Sequence, residues 1–133
     1  MRPSRFIPRS AVALLALVGL AFGGCGGPTV YHVSGSVTHA GQPLPAGVIY
    51  FDPDYTNGND GPQGYAHIKD GRYSTSAIGG AGVLGGPYLA RIEGFDGKPG
   101  AELPLGRPLF TDFSQPVELP QSDTSLNFDV PGN

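Results

Sequence analysis

Beyond residue 25 the chain is cut every few residues by glycine, proline, asparagine or aspartate, and no window keeps apolar residues at helical spacing. With 22 glycines and 14 prolines in 133 residues, a helix long enough to bury a face is interrupted before it forms. Short β-type runs fill the intervals instead. That pattern predicts an all-β fold, a sandwich or a barrel.

The runs carry their own face assignments. In "YHVSGSVTH", residues 31–39, Tyr31, Val33 and Val37 share one face and His32, Ser34, Ser36 and Thr38 the other. Gly35 falls on the apolar face, where a missing side chain admits a close neighbour. "GVIYF", residues 47–51, is apolar on both faces and reads as a more deeply buried strand. In "YAHIKDGRYSTS", residues 65–76, Asp70 and Gly71 predict a two-residue hairpin turn with positive φ angles. Its register opposes Lys69 to Arg72 and Ile68 to Tyr73. "YLARIEGF" alternates through Tyr88, Ala90 and Ile92, with Leu89 breaking the polar face, and "SLNFDVP" alternates through Leu126, Phe128 and Val130 before Pro131. Six or seven strands are expected from these runs.

The first 24 residues have a different character. Arg2, Arg5 and Arg9 make a basic opening, and Ala11 to Phe22 is uncharged and almost wholly apolar, the layout of a secretory signal peptide. Twelve residues of helix rise only about 18 Å against a hydrocarbon core of about 30 Å, so the segment is expected to be cleaved rather than to span. Gly23, Gly24 and then Cys25, the single cysteine, follow at once. In this the chain resembles bacterial lipoprotein precursors, whose lipobox sets small residues before a cysteine that receives a diacylglycerol thioether and becomes the mature N-terminus. Phe22 stands where the lipobox usually has an aliphatic residue. The resemblance implies lipidation at Cys25, a tether over residues 25–30 and a membrane-held domain over 31–131. Each buried methylene contributes about 0.8 kcal/mol, so two or three acyl chains suffice as an anchor.

Removal of residues 1–24 leaves five Lys and Arg against eleven Asp and Glu, a formal balance of −6. Such a surface does not seek nucleic acid or anionic headgroups. The remaining 109 residues are enough for one small domain, and without a second cysteine it folds without disulfides of its own.

Several motifs invite a chemical reading. "GAGVLG", Gly80 to Gly85, has the spacing of a dinucleotide fingerprint, but Gly86, Pro87 and a β pattern follow where the helix must begin, so an inter-strand loop is expected. "DPDYTNGNDG", residues 52–61, concentrates Asp52, Asp54, Asn57, Asn59 and Asp60, oxygen donors of the kind a calcium ion takes; it lacks the glycine, glutamate and helices of an EF-hand, and the same residues suit a solvated turn. His32, His39 and His67 lack zinc spacing. Ser34 and Ser36 lack the helix that follows a nucleophile elbow. No catalytic residue and no cofactor are expected.

Residues 33–48, "VSGSVTHAGQPLPAGV", resemble the opening of carboxypeptidase regulatory-like or transthyretin-like β-sandwich domains, closest to the short planctomycete lipoproteins that carry one. The residues are Val33, Gly35, Val37, Gly41, Pro43, Leu44 and Gly47, followed by a D-G-x-Y block at Asp70, Gly71 and Tyr73. A P-G-x-Y block is matched loosely by Gly86, Pro87 and Tyr88, with its first two residues reversed. The resemblance implies a Greek-key sandwich of about seven strands and a non-enzymatic accessory or binding domain, with no catalytic residue to carry over. The expectation is therefore a lipid-anchored envelope protein whose partners are the membrane and an envelope protein or glycan. A carbohydrate- or calcium-binding module, using Asp52 to Asp60 or the aromatics Tyr55 and Tyr65, is the alternative; an enzyme stands last.

Overall fold

The computed structural model describes residues 29–132; the signal segment, Cys25 and most of the tether lie outside the described residues. Nine strands follow in chain order: β1 (Val33–His39), β2 (Gln42–Pro43), β3 (Ala46–Pro53), β4 (Gly64–Lys69), β5 (Arg72–Ser74), β6 (Gly86–Phe95), β7 (Pro108–Leu119), β8 (Thr124–Ser125) and β9 (Phe128–Val130). Among the described residues the helical content is a single 3-10 turn, Tyr55–Asn57. The strands hydrogen-bond along one path, β2-β1-β5-β4-β3-β6-β7, with β8 and β9 paired parallel to β1, and the mostly antiparallel sheet curls into a half-barrel.

Curling turns one face of β1, β3, β4 and β6 inward. Ile49 and Phe51 of β3, Ala66 and Ile68 of β4, Tyr88, Ala90 and Ile92 of β6 and Phe128 and Val130 of β9 are all buried there with Val33 and Val37. Burial of each large side chain contributes about 1.5–3 kcal/mol. The strand at 47–51 is central, paired to β4 on one edge and β6 on the other, but only one of its faces is in the core: Gly47, Ile49 and Phe51 are buried, whereas Val48 and Tyr50 stay half-buried on the outer face. Phe51, Tyr73 and Phe128 form a triangle of tilted rings with centroids 6.2, 6.4 and 6.5 Å apart, within the range aromatic pairs favour.

The three sequence blocks at 33–37, 41–44 and 70–73 form one connected unit. Asp70 (φ 50°) and Gly71 (φ 78°) make the expected hairpin turn, and Lys69 pairs with Arg72. Gly71 N–H then donates to Leu44 O (2.7 Å), Val37 N–H to Gly71 O (2.8 Å) and Leu44 N–H to Val37 O (3.0 Å). The β4–β5 ladder ends at Lys69–Arg72, so the Ile68–Tyr73 pairing expected from the turn is replaced: Tyr73 is registered opposite Gly35 of β1. From β5 its side chain reaches across β1, and its hydroxyl donates to Leu126 O (2.6 Å), on the far edge. Burial pushes this phenol above its ordinary range.

Gly35 makes that crossing possible. A Cβ there would lie 2.0 Å from Leu126 O, and Asn127 Oδ1 takes the adjacent Ser36 N–H (2.9 Å) in place of a strand carbonyl. Leu126 and Asn127 are thus the break between β8 and β9, held by a side chain from each direction.

One long element was not anticipated. β7 spans 12 residues and is the terminal strand of the path, exposed along most of its length, with Pro108 and Pro116 inside it. An edge strand wetted on both faces has no period-2 signal, and proline is tolerated only there. Its pairing with β6 shifts register between Ile92 and Gly94 and again between Gly94 and Phe95.

The Gly35 crossing has measurable consequences. Gly35→Ala is expected to destabilise by about 3 kcal/mol or more because main chain must move, and Tyr73→Phe by about 1–2 kcal/mol because Leu126 O loses its buried donor. In urea melts the double variant should lose less than the sum of the two. A second site works in the opposite sense: Ala40 turns β1 into β2 at φ 54° beside Gly41 at φ 80°, so Ala40→Asn is expected to gain up to about 1 kcal/mol.

Candidate functional site

The outward-facing side chains of β4, β3, β6 and β7 meet in rows, because directly opposed residues in a ladder stand about 5 Å apart. Tyr65, Tyr50, Arg91 and Ser114 form one such row, His67, Val48 and Glu93 a second, and Asp52, Leu89 and Pro116 a third. The centre is fixed by charge. Arg91 Nε donates to Asp52 Oδ2 (2.9 Å), its Nη1 lies 3.6 Å from Glu93 Oε2, and its Cζ sits 4.2 Å over the Tyr50 ring. Gln63 Nε2 occupies the other Asp52 oxygen at 2.6 Å.

Arg91 and its two acids are each about a third exposed, so each contact is worth at most about 1 kcal/mol. Their effect is to orient rather than to stabilise. The hydrogen bond that Arg91 donates to Asp52, more than charge alone, raises the guanidinium above its ordinary value and helps hold it over the Tyr50 ring. What results is a face with an aromatic edge at Tyr65, a cation at its centre and fixed acceptors around it. Such a face can stack on the apolar side of a sugar ring or on a partner's side chains while its rim exchanges hydrogen bonds.

The structure does not gather the five oxygen donors of residues 52–60 around one point. Asp52 belongs to the face just described. Asp54 caps the 3-10 turn: it accepts from Thr56 Oγ1 (2.5 Å), Thr56 N (3.1 Å) and Asn57 Nδ2 (2.7 Å). Asn59 donates to Pro87 O (2.7 Å) and accepts from Gly61 N (2.9 Å), tying the loop to β6, and Asp60 is exposed. Asp54 and Asn57 are brought together, but on each other. Among the described residues no three His, Cys, Asp or Glu side chains gather as a metal-holding group. Asp54 and Asn57 also line an open cleft of about 570 Å³ with Pro87, Pro116 and Glu118.

The remaining candidates separate in space. Tyr55 stands on the 3-10 turn and is 71% exposed, whereas Tyr65 lies on β4 opposite Tyr50, so the two aromatics singled out in the sequence sit on different elements. His32 Nδ1 is 3.1 Å from Thr75 Oγ1, His39 packs on Phe110 with ring centroids 4.9 Å apart, and His67 lies on the outer face. Ser34 and Ser36 stand on β1 opposite Ser74 and Arg72. The G-x-G-x-x-G segment is not a free loop: Ala81 exchanges hydrogen bonds with Tyr65 (2.9 and 3.0 Å) and Val83 with Tyr31 (2.7 and 2.9 Å), so these amides are already engaged. Side chains at Gly80 and Gly82 would strike Thr75 O and Tyr31 O at 2.5 and 2.6 Å. Its glycines serve close packing of main chain.

The sequence reading missed Tyr50 and Arg91. Their signal was the ladder itself, since 41 residues of chain separate two side chains that the β3–β6 register sets side by side.

In comparison with known proteins, no family model, no curated protein and no solved structure matches the chain.

Hydrogen bonds from Thr56 first, then Asn57, hold the Asp54 carboxyl below its ordinary value of 3.8. A depressed carboxylate stabilises the fold above its unfolded value, and that contribution is lost as pH falls through the folded one. Amide protection at Thr56 and Asn57, measured against the intrinsic exchange rate at each pH, should therefore fall below about pH 4 before that of the core strands. Because these oxygens are already engaged, a calorimetric titration with CaCl₂ at neutral pH should release no binding heat.

Proposed function

We propose that the chain is a non-enzymatic envelope lipoprotein. Acyl chains on Cys25 hold residues 31–131 at a membrane surface, and the domain works by binding a partner there. The basic and apolar opening and the small residues before the only cysteine support the anchoring. The observation that carries the binding role is the Tyr65–Tyr50–Arg91 row, locked by Asp52, Gln63 and Glu93. A face oriented by such contacts has its ordering entropy already spent before a ligand arrives, which is where affinity is gained.

The half-barrel also supports reading the sheet as the two layers of a Greek-key sandwich in the transthyretin-like manner. β1 changes partners along its length, with β5 against Ser34–Ser36 and β2 and β9 against its far end. Strands that switch partners in this way make the corners between packed layers.

A glycan is the ligand this face favours, because an aromatic edge framed by carboxylates, an amide and a guanidinium matches alternating apolar and hydroxyl surfaces of a sugar. A glycan array is expected to give binding that Tyr65→Ala abolishes and Tyr55→Ala, on the separate turn, leaves in place. Retention in Tyr65→Ala would move the glycan to another part of the surface, and no binding by the wild type would shift the role to a protein partner. For the anchor, labelled palmitate should enter the wild-type chain and be lost in Cys25→Ser; equal incorporation in both would remove the lipoprotein reading.

A further inference from the structure

Asn57–Gly58 is the chain's only Asn–Gly step, and it stands exposed on the 3-10 turn just past the end of β3. Such a step is reactive because glycine sets no side chain in the way of its own nitrogen. A Cβ on Gly58 would meet nothing within 4 Å, so water and hydroxide reach the site freely. In the reaction a solvent base takes the Gly58 N–H proton, the nitrogen bonds to Asn57 Cγ, and the Cγ–Nδ2 bond breaks as ammonia leaves. Water then adds to one carbonyl of the five-membered succinimide and opens it to aspartate or isoaspartate. Water is the only co-reactant.

The fold holds both reacting groups off that path. Gly58 N–H donates to Tyr55 O (3.1 Å), which closes the turn and occupies the proton that must leave. The succinimide ring contains the Cα–C bond of Asn57, so its closure requires rotation there out of the 3-10 region, ψ about −20 to −30°. That rotation breaks the bond to Tyr55 O. Asn57 Nδ2, the leaving nitrogen, donates to Asp54 Oδ2 (2.7 Å). Asp54 gathers the rest of the turn: its other carboxylate oxygen takes Thr56 N–H and Oγ1, and its carbonyl takes Asn57 N–H (3.0 Å) and Asn59 N–H (3.1 Å). Pro87 O accepts from both Asp54 N–H (3.0 Å) and Asn59 Nδ2 (2.7 Å), which fastens the turn to β6.

We propose that Asn57 is a self-modification site of the native protein, deamidating through Gly58 only when this turn opens, with the Asp54 carboxylate as the latch that sets the rate. Neither the lipid anchor nor the glycan enters into it. Deamidation puts a carboxylate oxygen where Asn57 Nδ2 now faces Asp54 Oδ2, so a hydrogen bond becomes a like-charge contact. The latch then does not re-form. The cleft that Asp54 and Asn57 line with Pro87, Pro116 and Glu118 gains a negative charge, and time spent open is recorded there as charge.

The full chain is held at mildly alkaline pH, and the deamidated fraction at Asn57 is followed by peptide mass spectrometry. Native wild type is expected to react at least about tenfold more slowly than the same chain unfolded in urea, because reaction waits on local opening. Asp54→Asn keeps an oxygen for Thr56 N–H but sets an NH₂ against the Asn57 amide, removing the latch and leaving the cap. It and Asp54→Ala should recover most of the tenfold factor while amide protection in the core strands stays unchanged. Asp60→Ala, an exposed acid on the same loop outside the latch, should leave the native rate where it is. Equal rates in native and unfolded wild type, or no acceleration in either Asp54 variant, overturn the latch. So does equal acceleration by Asp60→Ala, which assigns the effect to loop charge. Aspartate formed without isoaspartate means hydrolysis that bypasses Gly58 and overturns the route.

Discussion

A tyrosine hydroxyl reaching over a bare backbone holds the fold together. Tyr73 crosses β1 at Gly35 to donate to Leu126 O, and through that contact three strands distant in sequence, β5, β1 and the β8–β9 segment, share one register. The ring adds packing against Phe51 and Phe128, so the hydrogen bond and the core are set by the same side chain. Tyr73 is buried, and leaving its hydroxyl unmatched would cost about 1–3 kcal/mol, which ties it to Leu126 O. The Asp70–Gly71 turn, whose amide and carbonyl engage Leu44 and Val37, aims Tyr73 at the crossing.

That dependence explains which parts of the fold could be read from the chain. Strands with one wet face announce themselves by alternation, and β1, β4, β6 and β9 lie where Val33, Ala66, Tyr88 and Phe128 place them. Asp70–Gly71 is legible because few residue pairs accept two positive φ angles. Gly35 was legible as an absence on an apolar face, but its neighbour was not, because Leu126 lies 91 residues away and its approach depends on β8 pairing parallel to β1. β7 was illegible for the opposite reason: exposed on most positions and carrying two prolines, it has no pattern of its own and takes its shape from β6.

The outer face follows the same division. Residues 52–60 looked like a collection of oxygen ligands because composition counts atoms without directions; the fold spends those oxygens on Arg91, Thr56, Asn57 and the start of β6. Tyr50 and Arg91 drew no notice in sequence because each is ordinary alone. Only a central strand flanked on both edges brings a phenol, a guanidinium and two carboxylates within one patch. The chemistry of the face is a property of register, and a one-residue slip would turn Tyr50 and Arg91 into the core.

The terminal strand β7 leaves twelve residues of sheet edge open to whatever lies beside it. An open edge is the template on which identical chains zip into ribbons. Here Pro108 and Pro116 remove donors from the strand, Asp112 and Glu118 set like charges along it, and the register shifts twist it away from flatness. The strand that adds least to the core thus carries its own fender against edge-to-edge zipping with a second copy.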